Sequence, residues 1–127
     1  MLAGPFTVDI IFDVMGAVEL EPEVAQWMNG LSVAEFASVL PYVERLAERG
    51  SLLRMPATRS LGDGLFELRF NLLRVAWRST YFFGPDRRIV LLTVFRKQRQ
   101  NERTEVQRAR RAMYRCVTEG HSVEEDD

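Results

Sequence analysis

Reactive side chains are scarce in this chain of 127 residues: it has one cysteine, Cys116, and one histidine, His121. A lone thiol excludes an intrachain disulfide, which fits a reducing compartment, and a cytoplasmic location is expected. A lone histidine in a polar C-terminal stretch supplies neither a histidine-based zinc site nor a Ser/His triad, so no metal or other cofactor is expected. Long apolar runs are missing too. The longest, IVLLTVF at 89–95, is far short of the roughly 20 residues that span a bilayer, and no membrane association is expected. Met1 to Phe12 has neither a basic start nor a small-residue cleavage site, so no export signal is read there. No internal repeat is visible.

What is present suits one globular domain: 46% of residues are hydrophobic and 28% charged. The length allows a real core but not two ordinary domains, and residues 1–117 are read as one unit. Residues 118–127 are acidic and poor in apolar groups, the composition of a mobile tail. The net charge of −1 conceals an asymmetry. Residues 1–53 hold two arginines against eight acids, residues 54–115 hold fifteen Lys or Arg against five acids, and residues 116–127 hold five acids and no Lys or Arg. Such a basic middle segment points to a local anion-binding face, the alternative being charge spread over a solvated surface.

Periodicity sets out the elements. FTVDIIF, Phe6 to Phe12, alternates at period two and predicts a first strand. Pro22 opens a short helix over PEVAQWM, which Asn29-Gly30 ends. Ser32-Val33-Ala34-Glu35 is a capping box that starts a second helix, with Phe36, Val39, Leu40, Val43, Leu46 and Ala47 on its buried stripe. Pro41 predicts a kink or break, and Gly50 a stop. Ser51 to Ser60 reads as a connector, and Gly62-Asp63-Gly64 as a tight turn. In LFELRFNL, Phe66, Leu68, Phe70 and Leu72 face one way, and Glu67, Arg69 and Asn71 the other. A strand from Val75 to Phe83 puts Arg74, Ala76, Arg78 and Thr80 on one side, with Val75, Trp77, Ser79 and Tyr81 opposite. Ile89 to Phe95, apolar on both faces, predicts a covered central strand. Val106, Ala109, Met113 and Val117 mark a C-terminal helix whose outer face is basic. The expected fold is α+β, an antiparallel sheet in the order β-α-α-β-β-β-α.

Paired as a hairpin, the two middle strands bring several guanidinium groups together with only Glu67 as a nearby carboxylate. Arginine forks match phosphate oxygens, so that shortage favours an anionic ligand. Pairing of Glu67 with Arg69 or Arg78, the rest pointing into water, is the competing reading.

Gly64-Leu65-Phe66-Glu67-Leu68-Arg69, then an arginine strand, then Phe95-Arg96-Lys97 after a buried strand, then ExxxARRAMYR, in this order and spacing over Phe6 to Arg115, resembles the RelE/HigB superfamily of toxin–antitoxin toxins, in its phage-derived HigB-like branch. The resemblance implies a small antiparallel sheet against N-terminal helices. It implies a ribosome-dependent endoribonuclease that cuts mRNA, inhibits translation and arrests growth. It also implies a cognate antitoxin, expected to be a helix-turn-helix protein. Carried over by position, Glu67, Arg69, Arg78 and Lys97 are the catalytic candidates and Arg59 is the basic residue before the Gly-rich turn; with Arg59, the basic residues Arg74, Arg96 and Arg99 are the expected RNA contacts. Two positions depart from the family pattern: Thr93 stands where many relatives have histidine, and Gln100-Asn101-Glu102-Arg103 replaces the usual Lys-Thr-Pro.

Attack of a ribose 2′-OH on phosphorus needs a proton acceptor, charge stabilisation and a donor for the leaving oxygen. Arg69, Arg74 and Arg78 suit charge stabilisation, while arginine transfers protons poorly because its pKa lies above about 12. The base is Lys97 or Glu67. Tyr81 is a donor candidate, although strand parity sets it opposite Arg78 and toward the core. With so weak an acid–base set, alignment of the RNA would carry much of the rate. A non-catalytic RNA- or ribosome-binding module, a gyrase-directed toxin of the ParE type and a docking surface for an acidic partner are the competing functions.

Overall fold

The computed structural model describes residues 18–85 and 88–119. The strand expected at Phe6–Phe12 and the tail beyond Glu119 lie outside them. Among the described residues the order is β1 (Val18–Leu20), α1 (Pro22–Asn29), α2 (Val33–Arg49), a 3-10 turn (Gly50–Leu52), β2 (Thr58–Gly62), β3 (Leu65–Leu72), β4 (Val75–Phe83), β5 (Ile89–Arg96) and α3 (Glu102–Thr118).

Local signals explain the helices. Pro22 sits at the first turn of α1, where its missing N–H costs nothing. The Ser32 hydroxyl accepts from the Glu35 N–H at 3.1 Å, and Glu35 Oε1 accepts from the Ser32 N–H at 2.8 Å. Those bonds satisfy two donors at the start of α2. Its buried stripe is Val39, Val43 and Leu46, with Phe36, Leu40 and Ala47 partly buried beside them. Gly50, at φ 52°, stops it. Of the kink or break expected at Pro41, the break does not occur: α2 runs through it. Pro41 and Ala37, whose carbonyl loses its partner, are both exposed. Water can therefore serve that carbonyl while the opposite stripe stays packed.

The five strands lie in the order β1-β5-β4-β3-β2. All neighbours are antiparallel except β1, which runs parallel to β5. Two strands were not expected at their places. β1 is three residues long, and β2 falls in the predicted connector. TRSLG has no apolar alternation, and it is held by pairing with β3 and by Arg110 of α3. That guanidinium donates to the Leu61 carbonyl and, at 3.1 Å, to the Gly62 carbonyl.

One sheet face packs Leu68, Phe70, Tyr81, Ile89, Leu91 and Val94 against Val24, Met28, Val39, Val43 and Leu46 of α1 and α2. The other packs Leu65, Val90 and Leu92 against Ala109 and Cys116 of α3. β5 contributes to both cores, which is why its sequence is apolar throughout. Val106, Ala109 and Met113 of the predicted α3 stripe pack as expected, but in the last turn Cys116 is buried and Val117 is 62% exposed. α3 covers only part of its face. Beyond Leu65, Val90 and Leu92 the same face turns polar.

Candidate nucleic-acid interface

Residues directly opposite in antiparallel strands point to the same side of the sheet. Arg59 pairs with Glu67, Glu67 with Thr80, and Thr80 with Thr93, giving one row across β2, β3, β4 and β5. In the next row Arg69 lies opposite Arg78. Just past β5, the Lys97 N–H donates to the Ala76 carbonyl at 2.8 Å, which fixes the chain beside β4. The first residue of α3, Glu102, reaches Arg59 Nη1 and Lys97 Nζ, each at 3.6 Å. Five of the expected residues thus meet at the end of the face left open by α3: Arg59, Glu67, Arg69, Arg78 and Lys97.

Glu67 is the centre of this cluster. It is 1% exposed, and its Oε2 lies 3.7 Å from Arg78 Nε and 3.9 Å from Arg69 Nε. Both distances exceed a hydrogen bond, and neither carboxylate oxygen nor Arg78 Nε has a hydrogen-bond partner. A unit charge pair at about 4 Å attracts by about 4 kcal/mol at an effective dielectric near 20. Taking a carboxylate out of water costs several kcal/mol. Burial wins here: it pushes the Glu67 carboxyl above the usual glutamate range despite Arg78, and Glu102 adds to the rise. Burial also lowers the Arg78 guanidinium, and the facing Arg69 lowers it further. Arg78 Nη1 donates to the Trp77 carbonyl at 2.9 Å. That bond anchors one edge of a nearly buried guanidinium.

Arg69 is half-buried, and its Nη1 donates to the Met55 thioether at 3.5 Å, a weak acceptor. Lys97 and Arg59 are the more accessible cations, and the Glu102 carboxylate is the charged partner of both. Tyr81 is buried against Phe66 and Phe83 on the opposite face, and burial pushes its hydroxyl up to about 12. It belongs to the core, on the side that strand parity predicts.

Three expected RNA contacts stand apart from the cluster. Arg74 is not on a strand face. With Leu73 it forms the two-residue turn between β3 and β4, at φ 67° and 51°. Arg96 lies opposite Trp77, and a strand residue next to Arg78 points to the other face. Arg99 lies in the exposed turn between β5 and α3. Conversely, Glu102 belongs to the cluster without having been singled out, and only the docking of α3 puts it there. Much of the remaining basic charge holds the fold together. Arg108 is bound by Glu23 and Glu105, which raise its guanidinium pKa, and Arg88 meets Glu19 at 3.4 Å. Among the described residues no three His, Cys, Asp or Glu side chains are grouped to hold a metal ion. No helix among them is long and apolar enough to cross a membrane.

The profile of the family described as "Phage derived protein Gp49-like (DUF891)" matches residues 26–116, a span from within α1 to the last turn of α3 that contains the whole cluster. The chain belongs to this family. Gp49-like proteins are a toxin-type family of the RelE/HigB kind, and the small α+β fold with its mostly antiparallel sheet is of that form. A toxin of this type implies a cognate antitoxin. No curated protein and no solved structure matches the chain.

Proposed function

We propose that this Gp49-like protein is the toxin of a phage-derived toxin–antitoxin pair, a cytoplasmic endoribonuclease that cuts mRNA on the ribosome and needs no metal. The observation that carries the reading is the open end of the sheet face. There Arg59, Arg69 and Arg78 surround one buried carboxylate, and Lys97 shares Glu102 with Arg59 beside them, a set rich in donors for a phosphate and poor in groups that exchange protons. In this reading Arg69 and Arg78 stabilise charge on the pentavalent phosphorus. Glu67, shut away from solvent beneath them, acts as a positioning residue that keeps two like charges side by side. Lys97, part-exposed beside them, is the group assigned proton transfer. Thr93 is buried in the sheet row, so alignment of the RNA by the ribosome carries the part of the rate that a histidine would otherwise supply.

The test is induction in cells with 5′ ends of transcripts mapped before and after. Lys97→Ala suits this experiment better than Arg78→Ala, because Arg78→Ala would remove the nearer of the two cations that face the buried Glu67. Internal cleavages that appear with the wild type and vanish with a folded Lys97→Ala variant support the nuclease. Blocked translation with intact transcripts would assign a binding module instead, and DNA breaks with intact transcripts a gyrase-directed toxin.

A further inference from the structure

A cleft of about 470 Å³ opens where α2 faces the free end of the β3–β4 hairpin. Tyr42 and Arg45 of α2, Pro56, and Arg69, Asn71 and Arg78 of the hairpin line it. It exists because β2 is short. The last β2–β3 pair is Thr58 with Leu68, and one further bond, from the Arg69 N–H to the Ala57 carbonyl at 2.8 Å, closes the ladder. No β2 residue opposes Asn71, so the edge of β3 lies open there.

The lining is lopsided in charge: three arginines and no carboxylate. Arg78 and Arg69 belong equally to the cluster around Glu67, so the cleft is a continuation of that cluster over the sheet edge toward α2. Arg45 is exposed, and Arg69 spends one donor on a thioether, which leaves guanidinium donors available to an anion. Beside them stands an aromatic ring held in place. Tyr42 is half-buried, its ring centroid 5.7 Å from that of Phe70. The Asn71 side chain, at an exposed strand position, offers both a donor and an acceptor. A cation row, a fixed ring and an amide are the parts that hold single-stranded RNA: phosphate, stacked base and base edge. The volume is within the range of small-molecule sites.

We infer that this cleft is a nucleotide subsite, taking one phosphate on Arg45 and Arg69 and the adjoining base on Tyr42 and Asn71, next to the nucleotide held at Arg78 and Lys97. The inference rests on the RNA-binding reading of the cluster and extends it to a direction for the strand: from the end of β5, across the hairpin, to α2.

Anisotropy titrations of labelled oligouridylates of two to eight nucleotides, at several salt concentrations, test it. For oligonucleotides long enough to reach α2, Arg45→Ala is expected to weaken binding about tenfold, the order of one charge-assisted contact. It should also reduce the slope of log K against log salt by about 0.7, one single-strand phosphate. For a dinucleotide, whose single phosphate is taken by Arg78 and Lys97, it should change neither. Tyr42→Leu should weaken the long ligands and Tyr42→Phe should not, since the phenyl ring still stacks. If Lys97→Ala lowers affinity and slope while Arg45→Ala and Tyr42→Leu change nothing, the subsite is wrong and the RNA-binding cluster stands. If the wild type binds no oligonucleotide, both fall. If a glutamate-rich peptide binds through Arg45 where RNA does not, the cleft is a protein-docking site and the inference is overturned.

Discussion

Glu67 shows how much a single buried side chain can organise. Two arginines directly opposite each other in neighbouring strands repel, and the carboxylate one row away is what lets them stay. It does so without a hydrogen bond to either, so its ionised form is poorly compensated and its pKa is raised by burial. The linkage then has a definite sign. A carboxyl whose folded value lies above the ordinary 4.5 contributes stability that is full below that pH and declines as pH rises through the folded value. The stability difference between wild type and Glu67→Gln, from urea titrations at a series of pH values, should therefore be most favourable to the wild type near pH 4. It should shrink as pH rises above 4.5. A difference independent of pH would mean that Glu67 is held by better contacts than the structure contains. At this scale the sequence was informative: period-two alternation puts Glu67 and Arg69 on one face of their strand, while the facing of Arg78 beside them depends on the β3–β4 register. It was silent on Arg45 and Glu102, which sit on helices far away in the chain.

Among the elements, the β3–β4 hairpin carries avoidable strain. Leu73 and Arg74 both hold positive φ, at 51° and 67°, in the two-residue loop that usually selects Asn-Gly. Nothing in Leu72-Leu73-Arg74-Val75 announces such a turn, and reading through it is what put Arg74 on the strand face with Arg78. Tertiary pairing overrides local preference here, since register on both sides leaves only two residues to turn the chain. Leu73 is 71% exposed, so replacing it loses little packing. The double change Leu73→Asn, Arg74→Gly should raise unfolding stability by about 1 kcal/mol, read from urea midpoints. It should leave RNA binding unchanged, because Arg74 lies off the cluster. Loss of binding would return Arg74 to the interface. The same contrast between local signal and pairing explains the other elements. The capping box and the leucine-valine stripe made α2 legible. β2, without alternation, exists because β3 and Arg110 hold it.

For the molecule as a whole, α3 is the piece that divides the second sheet face into core and site. Its inner side closes the smaller core with Ala109 and Cys116. Its first residue meets Arg59 and Lys97, and Arg110 ties it to β2 and to Asp63 in the adjoining turn. Cys116 reports on this docking. Burial and the neighbouring Glu21 push its thiol up to about 11. At pH 8 such a thiol is about one part in a thousand thiolate. Alkylation followed by mass spectrometry should be about a hundredfold slower in the native protein than in denaturant. Arg110→Ala should speed the native reaction if that side chain holds α3 down; rapid native labelling of the wild type would show instead that α3 opens readily. The sequence by itself determined the starts of α1 and α2, the buried stripe of α2, the covered central strand and the shared facing of Glu67 and Arg69, because caps and periodicities act over a few residues. Only the tertiary structure decided that Arg59, Lys97 and Glu102 join them, that Arg74 and Arg96 do not, and that Arg45 lies across the cleft. Those outcomes depend on strand register and on where α3 and α2 dock, and both are set by burying apolar surface between segments distant in the chain.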